Sequence, residues 1–196
     1  DIEINGHIFE LDTGAPKALN HDLMSLWELA QNAARKFDAK IGLFGVLPSL
    51  KLEHFNKELY QSDMHRYTLV SQRMKELRHE SIKVLFHGED EVSLQKDDVM
   101  LEALGTSLQI HLQIPFDQAV EYYHAALLAS VVLVGFGANS PLVLGKRGWH
   151  ESRITIFEQS VDTRDRERRE HGEERRVHFA HGYIDSWLDL FEQNKM

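Results

Sequence analysis

Polar and apolar positions alternate most regularly over residues 107–114, where Leu108, Ile110, Leu112 and Ile114 fall on one side and Ser107, Gln109, His111 and Gln113 on the other. Alternation with period two predicts a strand, ended here by Pro115. A different period holds upstream. Leu19, Leu23, Leu26, Trp27, Ala30, Ala33, Ala34 and Phe37 recur at helical spacing, with Asn20 or Asp22 available as a cap, and predict an amphipathic helix. Before it, the apolar residues Ile2, Ile4, Ile8, Phe9 and Leu11 flank Asn5-Gly6, a favoured hairpin turn, and predict two short antiparallel strands.

Further elements follow in alternation. Residues 41–47 form an apolar run closed by Pro48 and predict a buried strand. Asp63 is a candidate cap for a helix reaching Arg78, followed by a strand through Ile82, Val84, Leu85 and Phe86 and a turn at 87–90. Asp97 or Asp98 opens a short helix to Leu104. After Pro115, Asp117 caps an apolar helix to about Phe136, and Gly137-Ala138-Asn139-Ser140-Pro141 turns the chain. Ile154, Ile156 and Glu158 fit a strand or an extended loop, residues 162–176 are almost wholly charged and predict a mobile loop, and 183–191 predict a short helix. Such mixing of elements indicates an α+β chain, read as a single partial domain over residues 1–196.

Composition narrows the chemistry. With 31 acidic against 22 basic residues the formal charge is -9, which disfavours binding to nucleic acid or to anionic lipid. There is no Cys, hence no disulfide, thiolate zinc site or cysteine nucleophile. The longest strongly apolar stretch, 125–137, is shorter than a bilayer span, so the chain is expected to be soluble and cytoplasmic. It opens at Asp1, without an initiator Met and with strand-like residues, and is read as an interior piece of a longer protein.

Candidate chemistry lies on the predicted strands and turns. Gln109, His111 and Gln113 need water, a ligand or a partner, since burying each unpaired costs about 1–3 kcal/mol; periodicity alone leaves a plain solvent-facing strand equally open. Glu10 is a hard oxygen ligand that with His111 would suit magnesium or manganese, although a strand Glu is ordinarily just solvated. Arg147 and Arg153, after a Gly145-Lys146 pair, are candidates to grip a carboxylate or phosphate through paired hydrogen bonds, and Arg66 is a weaker one. No glycine-rich phosphate loop is present, so a nucleotide would be held by metal and side chains.

The order of these blocks resembles the glutamate-cysteine ligase family. The resemblance runs from Phe9-Glu10-Leu11 and Gly14-Ala15-Pro16, through a helix, to Gly45-Val46-Leu47-Pro48. It continues in Thr106-Ser107-Leu108-Gln109-Ile110-His111-Leu112, a helix, Ala138-Asn139-Ser140-Pro141, Gly145-Lys146, Glu151-Ser152-Arg153 and Asp162-Thr163-Arg164. It implies a partial glutamine-synthetase-like catalytic domain, an antiparallel sheet with helices packed on one face. The other, concave face would hold ATP, Mg2+ or Mn2+, and a glutamate-like carboxylate.

By the same resemblance Glu10 and His111 are metal ligands, Gln109, His111, Arg147 and Arg66 contact nucleotide or substrate, and Arg153 is catalytic. The activity implied is ATP-dependent carboxylate-amine ligation through an acyl phosphate. The family is about twice this long, and the strand with paired glutamates that normally precedes the Glu10 segment is absent. The alternative is a non-catalytic nucleotide or amino-acid binding module on the same scaffold. A metal-dependent hydrolase built on Glu10 and His111 ranks last. The amine and the oligomeric state stay open, a homo-oligomer included.

Overall fold

The computed structural model describes residues 4–56, 61–179 and 182–192. The chain divides into two compact units, Asp1–Leu43 and Phe44–Met196, where the sequence had indicated one domain.

The first unit is built on one helix, α1 (Ala15–Arg35). Pro16 stands in its first turn, where a missing N–H is harmless, and Asp12 accepts a hydrogen bond from the Gly14 N–H at 2.7 Å just ahead of it. The helix therefore begins well before Asn20 or Asp22, the caps expected for it. Its partly buried positions Leu19, Leu23, Leu26, Trp27 and Ala30 follow the expected stripe. The two strands predicted before it do not form among residues 4–11, and Ile2 lies outside the described residues. Asp22 supplies the reason: its carboxylate accepts the backbone N–H of His7 at 2.9 Å and bonds the His7 ring. Backbone that a hairpin would have paired with itself is tied to the helix instead.

In the second unit the centre is a hairpin, β1 (Ile82–His87) against β2 (Glu91–Lys96), with Val84 opposite Leu94 and Phe86 opposite Val92. Ile82, Val84 and Phe86 point to one buried face while the intervening residues are exposed. Only Val92 and Leu94 mark β2 as a strand, too short an apolar signal to be read beforehand. A 3-10 helix, Val99–Leu104, follows, capped by Asp98 as expected through a 3.0 Å bond from the Met100 N–H. Its Leu101, together with Ile156, Val84, Val92 and Val143, is fully buried. Each such side chain contributes about 1.5–3 kcal/mol of burial free energy.

Ile156 belongs to helix α4 (Ser152–Ser160), not to the strand or loop predicted there. The preceding helices are α2 (His65–Arg78), begun at Met64 with no side-chain cap and so without the expected Asp63 cap, and α3 (Ala119–Gly137). Helix α4 lies over β1, and its Gln159 explains why a helix is favoured: the amide donates to the Leu85 carbonyl at 3.0 Å and accepts from the Leu85 N–H at 2.8 Å. One side chain thus does for the open edge of β1 what a third strand would do. A second hairpin, β3 (Leu142–Val143) and β4 (Lys146–Arg147), turns through Leu144 (φ 49°) and Gly145 (φ 84°). Positive φ at both central residues is what a tight two-residue hairpin turn needs.

The charged run 162–176, expected as a mobile loop, holds the short helix α5 (Arg166–Glu170), capped by Asp165. Its charges pair: Arg164 makes a two-pronged contact with Asp162, and Arg169 reaches Glu80. The last helix is α6 (Trp187–Glu192).

Two further predicted strands, 41–47 across the boundary of the units and 107–114 in the second, are absent among the described residues. Residues 41–47 are irregular, and 107–114 form no strand and pair in no ladder, with 107–113 all exposed. Among the described residues two small antiparallel sheets of two strands each form, so the architecture there is α+β without the single broad sheet expected. Alternation signals a strand only where a neighbour completes its hydrogen bonds. The apolar stretch was also underestimated. With its 3-10 first turn the helix spans Phe116–Gly137, 22 residues, mostly exposed along its apolar stretch and long and apolar enough by length and composition to cross a membrane. Glu121 and His124 lie within it.

Candidate functional site

The sequence blocks at Gly45, Thr106, Asn139 and Glu151-Ser152-Arg153 meet in the second unit as a closed ring of hydrogen bonds. Arg153 donates from one terminal nitrogen to the Thr106 carbonyl at 2.5 Å. The Thr106 N–H donates to the Gly45 carbonyl at 2.9 Å, and the Gly45 N–H to the Asn139 carbonyl at 3.0 Å. The Asn139 N–H donates to one oxygen of Glu151 at 2.9 Å, and the other oxygen of Glu151 accepts from Arg153 Nε. Two further bonds brace the ring: Ser140 Oγ accepts the Arg153 N–H at 3.1 Å, and the other terminal nitrogen of Arg153 donates to the Gly137 carbonyl at 3.3 Å, at the C-terminus of α3.

Local sequence explains how these parts come together. Gly45 is required because a Cβ there would stand 2.7 Å from the Asn139 carbonyl oxygen. Ser140 and Ser152 are fully buried, small enough for the turn and the start of α4 to pack together, and Ser152 Oγ bonds the Trp149 carbonyl at 2.8 Å. Glu151 is only 11% exposed and Arg153 26%. Arg153 uses three of the five N–H donors a guanidinium carries, leaving one on each terminal nitrogen for another acceptor.

Residues 107–114 leave the ring at Thr106. Gln109 and His111 share a face, as predicted, and touch through Gln109 Oε1 and His111 Nε2 at 3.2 Å; both are exposed. Arg153 is therefore joined through Thr106 to the segment bearing them. Arg147 is otherwise engaged: its guanidinium grips Asp90 at 3.0 and 3.2 Å and Glu89 at 2.8 Å, tying the tip of the β1–β2 hairpin to β4. Hydrogen bonding to Arg147 holds the Asp90 carboxyl below its ordinary range. Arg66, at the start of α2, bonds Tyr67 Oη at 2.7 Å and stacks on its ring. Glu10 is exposed and belongs to the first unit.

Among the described residues no three His, Asp or Glu side chains gather as metal ligands. The expected pairing of Glu10 with His111 around a cation thus has no completed donor set here. Glu151, in the motif beside Arg153 but not among the predicted site residues, closes the ring. Its signal was available: an acid two residues before a candidate Arg, beside a turn with backbone N–H groups to satisfy.

Searches of curated proteins and of solved structures return no match. A family model does match, that of glutamate-cysteine ligase family 2, over residues 2–176. That span holds every block of the ring, and the chain belongs to glutamate-cysteine ligase family 2.

Proposed function

We propose that the protein takes part in ATP-dependent carboxylate-amine ligation. A glutamate-type carboxylate attacks the terminal phosphoryl group of ATP, and an amine then displaces phosphate from the acyl phosphate. The observation that carries this reading is family membership across residues 2–176. Supporting it is the Arg153 ring, which holds a guanidinium with two open donor positions beside the segment bearing Gln109 and His111.

Phosphoryl transfer asks little covalent chemistry of a protein and much positioning. In this reading Arg153 directs its open N–H groups at charge developing on the transferred phosphoryl oxygens, where fixed donors act most strongly. Gln109 and His111 donate to a phosphate or carboxylate oxygen from the adjoining face. Arg147 and Arg66 have weaker claims, being engaged with Asp90 and Tyr67. Magnesium or manganese enters as the counter-ion of ATP itself. The described residues do not fit a protein-held cation, so no step is assigned to one. Residues 107–114 would then be one strand of a larger glutamine-synthetase-like sheet, and the cytoplasm is the compartment proposed for the reaction.

The test incubates the protein with ATP, magnesium, glutamate and a panel of amines, and follows ADP release. Amine-dependent ADP release, reduced at least tenfold by His111→Ala and by Arg153→Lys, is expected. No release above background with any amine overturns the ligase reading. The lack of a three-ligand metal cluster among the described residues favours a second reading, a non-catalytic module that binds nucleotide or amino acid. Calorimetry with a non-hydrolysable ATP analogue separates the two, since such a module binds without turnover.

A further inference from the structure

Resting on the ligase reading, we infer that Glu151 is the positioning residue for Arg153, setting its guanidinium while holding the Asn139-Ser140 turn. A carboxylate has two acceptor oxygens, and each has a task here: one takes the Nε–H of Arg153, the other the backbone N–H of Asn139. The two donors belong to different parts of the chain, one following α3 and one on α4. Glu151 is thereby a bracket between them. With the Nε–H fixed and the Thr106 and Gly137 carbonyls taking one donor from each terminal nitrogen, the plane of the guanidinium has no remaining rotation. Its two open N–H groups then have a set direction.

The electrostatic consequence follows from the same geometry. Glu151 and Arg153 form a pair of zero net charge, with both side chains mostly out of solvent. Arg153 thus meets an anion chiefly by oriented donors rather than by uncompensated charge. Holding donors in place ahead of the reaction avoids reorganisation when the transition state forms, and misplacement by about 1 Å costs on the order of 100-fold in rate.

Gln is the informative replacement. Its amide keeps the size of Glu but puts an NH2 where one carboxylate oxygen was, so in this geometry, with the two donors on different oxygens, it satisfies Asn139 N–H or Arg153 Nε–H and not both. Glu151→Gln is expected to lower kcat roughly 10- to 100-fold. Glu80→Gln, which removes a charged partner of Arg169 and Arg78 outside the ring, leaves kcat at the wild-type value. The decisive arm is the double variant. Because Glu151 acts through Arg153, Glu151→Gln adds no further loss in an Arg153→Lys background.

An unchanged kcat in Glu151→Gln, or a loss that persists in full in the Arg153→Lys background, overturns the inference. If the wild-type protein releases no ADP with any amine, the ligase reading falls instead. The claim about Glu151 is then decided by NMR of the Arg153 Nε–H resonance in the same proteins. A sharp, exchange-protected resonance in the wild type that is lost in Glu151→Gln upholds it, and an identical resonance in both refutes it.

Discussion

Replacing Arg78 tests whether a buried cation holds α2 against the segment after α4. Arg78 ends α2, is only 4% exposed, and donates to the Asp162 carbonyl at 2.7 Å and the Gln159 carbonyl at 3.3 Å. Its Nε has no hydrogen-bond partner, and burial lowers its pKa against the opposing pull of Asp162. Arg78→Met keeps most of the volume and removes the donors. Stranding the Asp162 carbonyl costs about 1–3 kcal/mol, and the longer bond to Gln159 adds less. Arg78 bonds the Asp162 backbone carbonyl, while the Asp162 carboxylate keeps its two-pronged contact with Arg164, so no lone buried charge is left behind. Relief of the unpartnered Nε offsets about 1 kcal/mol. The expected net loss is about 1–3 kcal/mol, from the sum of these contributions.

Urea unfolding followed by tryptophan fluorescence measures it. A Trp27→Phe background confines the signal to Trp149 and Trp187, both in the second unit. Combining Arg78→Met with Arg164→Met leaves Asp162, of its cation partners, with only the longer 3.9 Å contact to Arg175 and should cost more than the two single losses added, by about 0.5–3 kcal/mol. The pH dependence has a definite sign. Burial opposes the charge of Asp162, yet hydrogen bonds from Arg164 and the charges of Arg164 and Arg78 hold its carboxyl below the ordinary value. Its contribution is therefore fully present above the unfolded-state pKa and is lost as pH falls through the lower folded-state pKa. The double variant should lose most of that acid dependence, the backbone N–H of residue 164 and Arg175 still favouring the charged form. A single Arg78→Met variant as stable as the wild type, with additive behaviour in the double variant, would refute the account.

Three further outcomes follow from the packing. Ile156→Ala, at a fully buried position between the hairpin and the 3-10 helix, should lower stability by about 2–5 kcal/mol in the same urea assay. In Gly88→Ala the new Cβ would lie 2.5 Å from the Gly148 backbone, so the hairpin tip must move away from β4; loss of the Trp149–Phe86 ring contact, seen as a fluorescence change, reports it. Asp90→Asn should weaken the grip on Arg147 with a small loss of stability that shrinks further at high salt, because the pair is exposed; a loss independent of salt would contradict this.

Several elements were legible without coordinates because short-range chemistry specifies them. The stripe of α1, the Asp98 cap before Leu101, the β1 alternation and the helix after Pro115 each depend on residues within a few positions of one another. The order of motifs likewise sufficed to identify the family. Other features required partners distant in sequence. Whether residues 107–114 pair in a sheet depends on a neighbouring strand, not on their own alternation. Gln159 takes the place of a strand beside Leu85 only because 74 positions of chain bring it back there. Arg147 is claimed by Asp90, 57 positions away, for the same reason. The ring around Arg153 spans Gly45 to Arg153, so the role of Glu151 appears only once the fold has closed that loop. Local periodicity sets what a segment can become, and hydrogen-bond and charge partners supplied by tertiary structure decide which option is taken.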